Sequence, residues 1–135
     1  MPVLEMIRTY PADITLDRDL MADAVSVLID CAQACTACAD ACLSEPDVAL
    51  LGKCIRTNLD CADICATTAK VLSRHTGYDA NMSVAQLRSC AVACKTCADE
   101  CAVHADRHAH CRVCAEACRT CAATCENIMD AMITS

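Results

Sequence analysis

Apolar residues recur every three or four positions along most of this chain, with polar and charged residues between them. This period is typical of helices that bury one face, and no segment shows the strict alternation of a half-buried strand. The pattern predicts an all-α protein with four long helices, which cover roughly 18–43, 46–74, 84–105 and 107–132. Residues 1–16 contain two of the three prolines and are expected to form a tail or a short helix packed on the outside.

Capping signals mark where these helices begin and end. Asp17 precedes the first helix and is a favourable N-cap residue. The sequence Ser-Glu-Pro-Asp at 44–47 predicts the start of the second helix, because it combines a capping hydroxyl, an early proline and acidic groups. Gly77 is expected to end that helix, and residues 83–86 fit a capping box that opens the third.

The chain is a tandem repeat of two helical hairpins. Cys31 corresponds to Cys90, 59 positions later, and Cys54 corresponds to Cys114, 60 positions later. Two hairpins with short loops form an antiparallel four-helix bundle. We therefore expect one bundle domain over residues 17–135, preceded by the segment 1–16.

Cysteines occupy the inward positions that large apolar residues fill in ordinary bundles. They are spaced four, three and four residues apart, which places them on one stripe of each helix. In the second helix, Asn58 stands in one of these positions. The chain has no Phe and no Trp, so sulfur and anything bound to it must fill much of the core. The sixteen cysteines are Cys31, Cys35, Cys38, Cys42, Cys54, Cys61, Cys65, Cys90, Cys94, Cys97, Cys101, Cys111, Cys114, Cys118, Cys121 and Cys125.

Antiparallel packing gives the two ends of the bundle different residues. One end is expected to be closed by aliphatic and thioether side chains, because these follow or precede the cysteine stripes on every helix. Met129 and Met132 fall on the stripe of the fourth helix, but a packing role explains them better than metal ligation. The apolar plug consists of Leu20, Val27, Leu28, Val71, Leu72, Val84, Leu87, Ile128, Met129 and Met132.

The other end, the mouth, carries three of the four histidines. His104 and His108 follow Cys101 by three and seven residues, so they continue its stripe and are candidate ligands or entrance residues for metal. His110 lies off that stripe and has less support. The mouth consists of Cys42, Leu50, Leu51, Cys101, His104, His108, His110 and Cys111.

Charge and composition exclude several classes of function. The net charge is −7, and the eleven basic residues are scattered, which argues against binding to a nucleic-acid backbone. No span of about 18 apolar residues is present, so no transmembrane helix is expected. The first residues are acidic and polar where a signal peptide would be apolar, so we expect a cytoplasmic protein. In a reducing compartment, cysteines on helices indicate metal or redox chemistry rather than disulfides.

The choice of metal follows from charge. Thiolates are soft ligands that suit Cu(I), Zn(II) or iron–sulfur clusters. Cu(I) adds one positive charge per thiolate and leaves a buried core near neutral, whereas each four-thiolate zinc site keeps two negative charges. Cysteines four residues apart, with Cβ atoms about 5–6 Å apart, can hold one ion between two sulfurs, and a continuous stripe offers many such pairs. The residues therefore favour several Cu(I) ions.

The four-three-four cysteine stripes, the histidines at one end and the absence of a signal peptide resemble the bacterial copper storage proteins, in particular their cytosolic branch. The resemblance runs from Leu20 to Met132. It implies a four-helix bundle whose core stores many Cu(I) ions without catalysis, in a homotetramer. We expect a copper chaperone or a small-molecule copper carrier as partner, and neither nucleic acid nor membrane. Asn58 replaces a cysteine of the stripe. Either its side-chain oxygen joins the metal site, or its amide group only forms the hydrogen bonds that it needs itself.

Two other functions stay open from the residues alone. A zinc or mixed soft-metal buffer would bind about one divalent ion per four thiols. An iron–sulfur or redox protein would show visible charge-transfer bands as isolated. An anaerobic titration separates them, because Cu(I) storage predicts a colourless complex with about one ion per thiol.

Overall fold

The computed structural model describes residues 2–134, and every regular element within this range is a helix. The predicted all-α class is therefore confirmed. A short helix precedes the four long ones, and a single 3-10 turn, Val48–Leu50, lies between the first two of these. The α-helices are α1 (Val3–Arg8), α2 (Arg18–Leu43), α3 (Gly52–Leu72), α4 (Ala80–His104) and α5 (Ala109–Thr134).

Helices α2 to α5 form the expected antiparallel four-helix bundle. Each packs against two neighbours, in the order α2, α3, α4, α5 and back to α2, so the four inward faces enclose one core. Helix α1 lies against α2, where Ile7 is buried. The division of the chain into a segment 1–16 and a bundle domain 17–135 stays a prediction.

Of the three predicted N-caps, Asp17 is correct, whereas Ser44 and Ser83 are wrong, since Ser44 is the C-cap of α2. The Asp17 carboxylate accepts a hydrogen bond from the backbone N–H of Leu20 at 2.9 Å, as expected for the cap of α2. Helix α4 begins earlier than predicted, because the Asp79 carboxylate accepts from two N–H groups of its first turn at 2.9 and 3.4 Å. Ser83 is consequently a buried residue inside α4 and not its cap.

The second long helix starts later than the sequence predicts. Residues 44–47 form a turn, and the 3-10 turn that follows is held by bonds such as Leu51 N–H to Val48 O at 3.0 Å. Helix α3 begins only at Gly52 and ends at Leu72, so Gly77 is not its C-cap. Gly77 has φ +63°, a left-handed conformation that suits glycine in the turn before α4.

The plug end is apolar, with one wrong assignment. Leu20 is 40% exposed, whereas Met21 and Val25 are buried and take the inward positions of this part of α2. Leu28 and the cysteines of α2 keep the predicted inward face, so the error is confined to Leu20. The plug residues that are buried are Leu28, Leu72, Leu87, Ile128 and Met132. Those that are half-buried are Val27, Val71, Val84 and Met129.

Helix α2 is long and apolar enough to cross a membrane when judged by length and composition alone. The expectation that no such span exists is corrected on this point. The cause is its content of cysteine and alanine, which count as apolar residues and here form the inward face of a bundle helix. A core helix of a bundle passes the same test, so the finding is weak evidence for a membrane.

Candidate metal centre

All sixteen cysteines lie in the bundle core as free thiols. None is more than 2% exposed, because the four-three-four spacing keeps each stripe on the inward face of its helix. Alanines beside them, such as Ala39, Ala98 and Ala115, are also buried and allow the helices to approach closely. The core of this bundle is thus lined with sulfur.

The sulfur atoms of facing helices are separated by distances that suit a bridging metal ion. The Sγ atoms of Cys35 and Cys118 are 3.5 Å apart, and those of Cys65 and Cys94 are 3.6 Å apart. A disulfide bond would require about 2.05 Å. A metal–sulfur bond of about 2.3 Å on each side of one ion spans up to about 4.6 Å. The thiols are therefore spaced for shared ions without being bonded to one another.

These sulfur atoms fall into overlapping groups along the core. Within each group all sulfur atoms lie within 4.8 Å of one another. Cys31 and Cys35 each belong to more than one group, so neighbouring groups share ligands and form a continuous column. The four-membered groups include Cys31, Cys65, Cys94 and Cys121; Cys31, Cys35, Cys61 and Cys118; Cys35, Cys97, Cys114 and Cys118; and Cys38, Cys42, Cys54 and Cys111.

Asn58 is fully buried among these thiols and is held by them on both sides of its amide. Its Oδ1 accepts hydrogen bonds from the thiols of Cys97 at 3.0 Å, Cys114 at 3.1 Å and Cys101 at 3.5 Å. Its Nδ2 donates to Cys54 Sγ at 3.6 Å. The amide oxygen thus occupies the place of a missing sulfur and faces three cysteines from two helices.

Protonation of the thiols is set by burial and by their neighbours. Burial raises the pKa of Cys42 to about 11, with the nearby Cys38 adding to the effect. Burial likewise raises the pKa of Cys111. The pKa of Cys61 is lowered to about 6, because the Cys118 thiol hydrogen-bonds to its thiolate. The empty core is therefore mostly protonated, with thiolate favoured where several S–H groups surround one sulfur.

At the mouth, His108 is fixed by two carboxylates from the loop that precedes α3. Its Nδ1 lies 2.6 Å from Glu45 Oε2, and its Nε2 lies 3.0 Å from Asp47 Oδ2. The hydrogen bond with His108 lowers the pKa of Asp47. The sequence pattern predicts both acids to be parts of a helix start. The sequence feature that could have indicated their contact with His108 is the presence of two acids beside a proline, in a loop at the histidine-bearing end.

His110 is the histidine whose ring is shown to reach the thiols. Its Nδ1 lies 3.3 Å from Cys38 Sγ and 3.6 Å from Cys111 Sγ, and its Nε2 lies 2.9 Å from Glu45 Oε2. Burial alone would lower its pKa, but the hydrogen bonds with Cys38 and Glu45 outweigh burial and raise it. The helix register could not reveal this placement, because the chain turns between α4 and α5 and the stripe does not continue through the turn.

The other mouth residues divide between buried and exposed. His104 is 6% exposed, and its Nδ1 lies 3.3 Å from a guanidinium nitrogen of Arg107. Leu51 is fully buried under the mouth, whereas Leu50 is 66% exposed. Rings of His108 and His110 stack with centroids 5.6 Å apart. The mouth therefore brings imidazoles, carboxylates and the last thiols of the core into one small region.

Comparison with known proteins agrees with this geometry. A family model described as copper storage protein matches residues 17–130. The copper storage protein Ccsp from Streptomyces lividans, loaded with 10 copper equivalents, is 60% identical, with a TM-score of 0.93 over 95% of this chain and 98% of that one. Cu(I)-bound BsCsp3, a copper storage protein, is 36% identical, with a TM-score of 0.71 over 80% of this chain and 96% of that one. An uncharacterized cysteine-rich protein, YhjQ of Bacillus subtilis, is 36% identical over 65% of this chain and 76% of its own length.

Proposed function

The chain belongs to the copper storage protein family, and we propose that it stores multiple Cu(I) ions in the cytosol on the cysteine sulfurs of its bundle core. The observation that carries this proposal is the column of overlapping sulfur groups, which offers shared ligands along the whole core. Storage requires binding and release of ions and no chemical conversion, so we infer no enzymatic activity. Copper ions are the partners, brought or removed by a copper chaperone or a small-molecule carrier.

The second candidate is a zinc or mixed soft-metal buffer, because four sulfurs within 4.8 Å also fit a tetrahedral ion. Neighbouring groups have cysteines in common, so they cannot each hold a divalent ion with four ligands of its own. This sharing of ligands favours Cu(I). Anaerobic titration tests the proposal: about one Cu(I) per thiol supports storage, as charge balance requires. Saturation at about one divalent ion per four thiols, with no further Cu(I) uptake, would replace it by the zinc function.

We propose all sixteen cysteines as ligands, with Asn58 contributing through its amide oxygen. This oxygen sits 3.0 to 3.5 Å from three sulfurs, so an ion bound to those sulfurs lies within its reach. His110 is proposed as the residue that receives ions from the mouth, because its Nδ1 lies beside Cys38 and Cys111. His104 and His108, which are both buried, complete this entrance.

Copper loading is expected to release protons. Because burial holds the pKa of thiols such as Cys42 at about 11, these groups are protonated at pH 7 and must lose a proton to bind Cu(I). Total release should be clearly smaller than the sixteen cysteines of the chain, since hydrogen bonds from neighbouring thiols lower the pKa of Cys31, Cys38, Cys61, Cys90 and Cys97. Raising the pH should strengthen binding and lowering it should weaken binding. Titration in weak buffer with a pH electrode measures the release; a value near zero contradicts the protonated core.

The double change His104→Ala with His108→Ala is expected to slow Cu(I) uptake or removal by about 10-fold or more, the scale of effects for residues surrounding a metal. Capacity should change little, because the cysteines remain. Stopped-flow transfer from a chromophoric Cu(I) chelator measures the rate. Exposed neighbours on the same turn provide a matched control, Val103→Ala with Asp106→Ala. Equal rates in the two variants would remove the entrance from the proposal.

We propose that the protein is a homotetramer and that its α3–α4 face takes part in assembly. A groove of about 520 Å³ runs between these helices and is lined by residues that include Ile64, Ala93 and Val92, the last of which is 60% exposed. Val92→Arg should therefore reduce the mass measured by light scattering below that of a tetramer. Val113→Arg, at a 52% exposed valine on α5, is the control and should leave the mass unchanged. A tetramer in both variants would exclude this face.

A further inference from the structure

A small cavity of about 40 Å³ lies at the plug end of the bundle, opposite the mouth. Its walls come from four parts of the chain: the segment before α2, the first turn of α2, the turn between α3 and α4, and the end of α5. Among the residues that line it are Asp13, Met21, His75 and Met132. The space is large enough for one ion or one water molecule. No cysteine lines it.

His75, one of the residues that line this cavity, carries an unexplained polar atom. Its Nε2 is buried and has no hydrogen-bond partner within residues 2–134. Buried polar nitrogens are nearly always paired, so a water molecule or an ion is expected beside this one. The ring is held edge-on against Tyr10, with centroids 5.4 Å apart. Burial, together with the Arg18 guanidinium, lowers the pKa of His75, so the ring is neutral at pH 7 and able to offer a lone pair.

The methionines that line the cavity are soft donors. Met21 is 2% exposed and Met132 is 5% exposed, so both thioethers are held inside the protein from opposite ends of the chain. Imidazole nitrogen and thioether sulfur are ligands that suit Cu(I). Asp13, an exposed residue, also lines the cavity, and its negative charge favours a cation. The Arg18 guanidinium keeps its positive charge while it donates to four backbone carbonyls of the N-terminal segment, so the charge of Asp13 must offset that of Arg18 for a cation to bind.

We propose that this cavity is a second Cu(I) site, separate from the cysteine core, with Nε2 of His75 and the sulfur atoms of Met21 and Met132 as ligands. The proposal takes Cu(I) as cargo from the proposed function and adds a site outside the sulfur column. Its donors are neutral, so the bound ion keeps its charge and is held less tightly than an ion between thiolates. The site therefore fills after the core, when copper is in excess.

Anaerobic crystals with excess Cu(I), measured at the copper absorption edge, test the proposal. An anomalous peak is expected at roughly 2.0–2.1 Å from Nε2 of His75, the range of metal–nitrogen bonds. His75→Ala should abolish the peak. Met21→Leu with Met132→Leu should also abolish it, while leucine keeps the apolar packing. In solution, both variants should bind about one Cu(I) fewer per chain at saturation, as loss of one site requires.

The matched control is Met6→Leu with Met82→Leu, which removes two thioethers that are 69% and 56% exposed. This variant should keep the peak beside His75. Wild-type crystals with copper among the cysteines but only a water molecule at His75 would overturn the inference and leave the storage function intact. Absence of copper from the cysteines themselves would overturn the storage function instead. The wild-type result decides the question even if a variant does not fold.

Discussion

Serine in place of Cys31, Cys35, Cys61 and Cys118 is expected to lower Cu(I) capacity by about four ions per chain, because charge balance ties roughly one ion to each thiolate. These four sulfur atoms lie within 4.8 Å of one another, and Cys31 and Cys35 also belong to the neighbouring groups. A hydroxyl group is a hard donor with little affinity for Cu(I), so the ions are lost while the helices remain. Anaerobic titration counts the ions, and far-ultraviolet circular dichroism reports the helices.

The control for this variant places hydroxyl groups in the same interior and keeps every sulfur. Ala62→Ser with Ala91→Ser meets this requirement, since both alanines are at least 94% buried. A serine hydroxyl inside a helix can donate to the carbonyl four residues earlier, as the Thr68 hydroxyl does to Ile64 O at 2.7 Å. The control should keep full capacity. Equal loss in the control and the cysteine variant, or no loss in either, would contradict the assignment of these sulfurs as ligands.

Leu28→Ala is expected to have the largest effect on the stability of the copper-free protein. Leu28 is 1% exposed in the apolar plug, and removing a buried leucine side chain typically lowers the free energy of unfolding by about 2–5 kcal/mol. The loss is serious here because the rest of the core consists mainly of cysteine and alanine, which bury little apolar area each. Chemical denaturation under reducing conditions, without copper, measures the change.

Copper should restore the stability of this variant, because ions that bind only the folded bundle shift the equilibrium toward it. The matched control is Leu43→Ala on the same helix, where the side chain is 60% exposed. This control should stay close to the wild type in both states. Equal destabilisation of the two variants would show that the plug does not carry the stability of the empty bundle.

The sequence was sufficient for the core because each stripe depends only on helical periodicity. Cysteines spaced four, three and four residues apart face inward wherever their helix begins or ends, so errors at the termini did not affect them. The position of Asn58 among them followed from the same register. Its hydrogen bonds with three thiols did not, because they depend on how α3, α4 and α5 face each other.

The errors lie where distant parts of the chain compete with local signals. Glu45 and Asp47 have the composition of a helix start, but their carboxylates bind His108, which is more than 60 residues away, and α3 begins later. No local pattern reports such a contact. The placement of His110 is not predicted for a related reason, because the stripe of α4 does not extend through the turn before α5, where helical geometry does not hold. At the start of α4, Asp79 and Ser83 are both acceptable caps about one turn apart.

Complete burial of the cysteines also determines how this protein can be quantified. A thiol reagent added to the folded, empty protein meets side chains that are at most 2% exposed, so it will react only when the bundle opens. The same reagent in denaturant will register all sixteen. The ratio of copper to thiol must therefore use the number of thiols that react in denaturant. The rate of labelling in the folded state becomes a direct measure of how often the copper-free bundle opens.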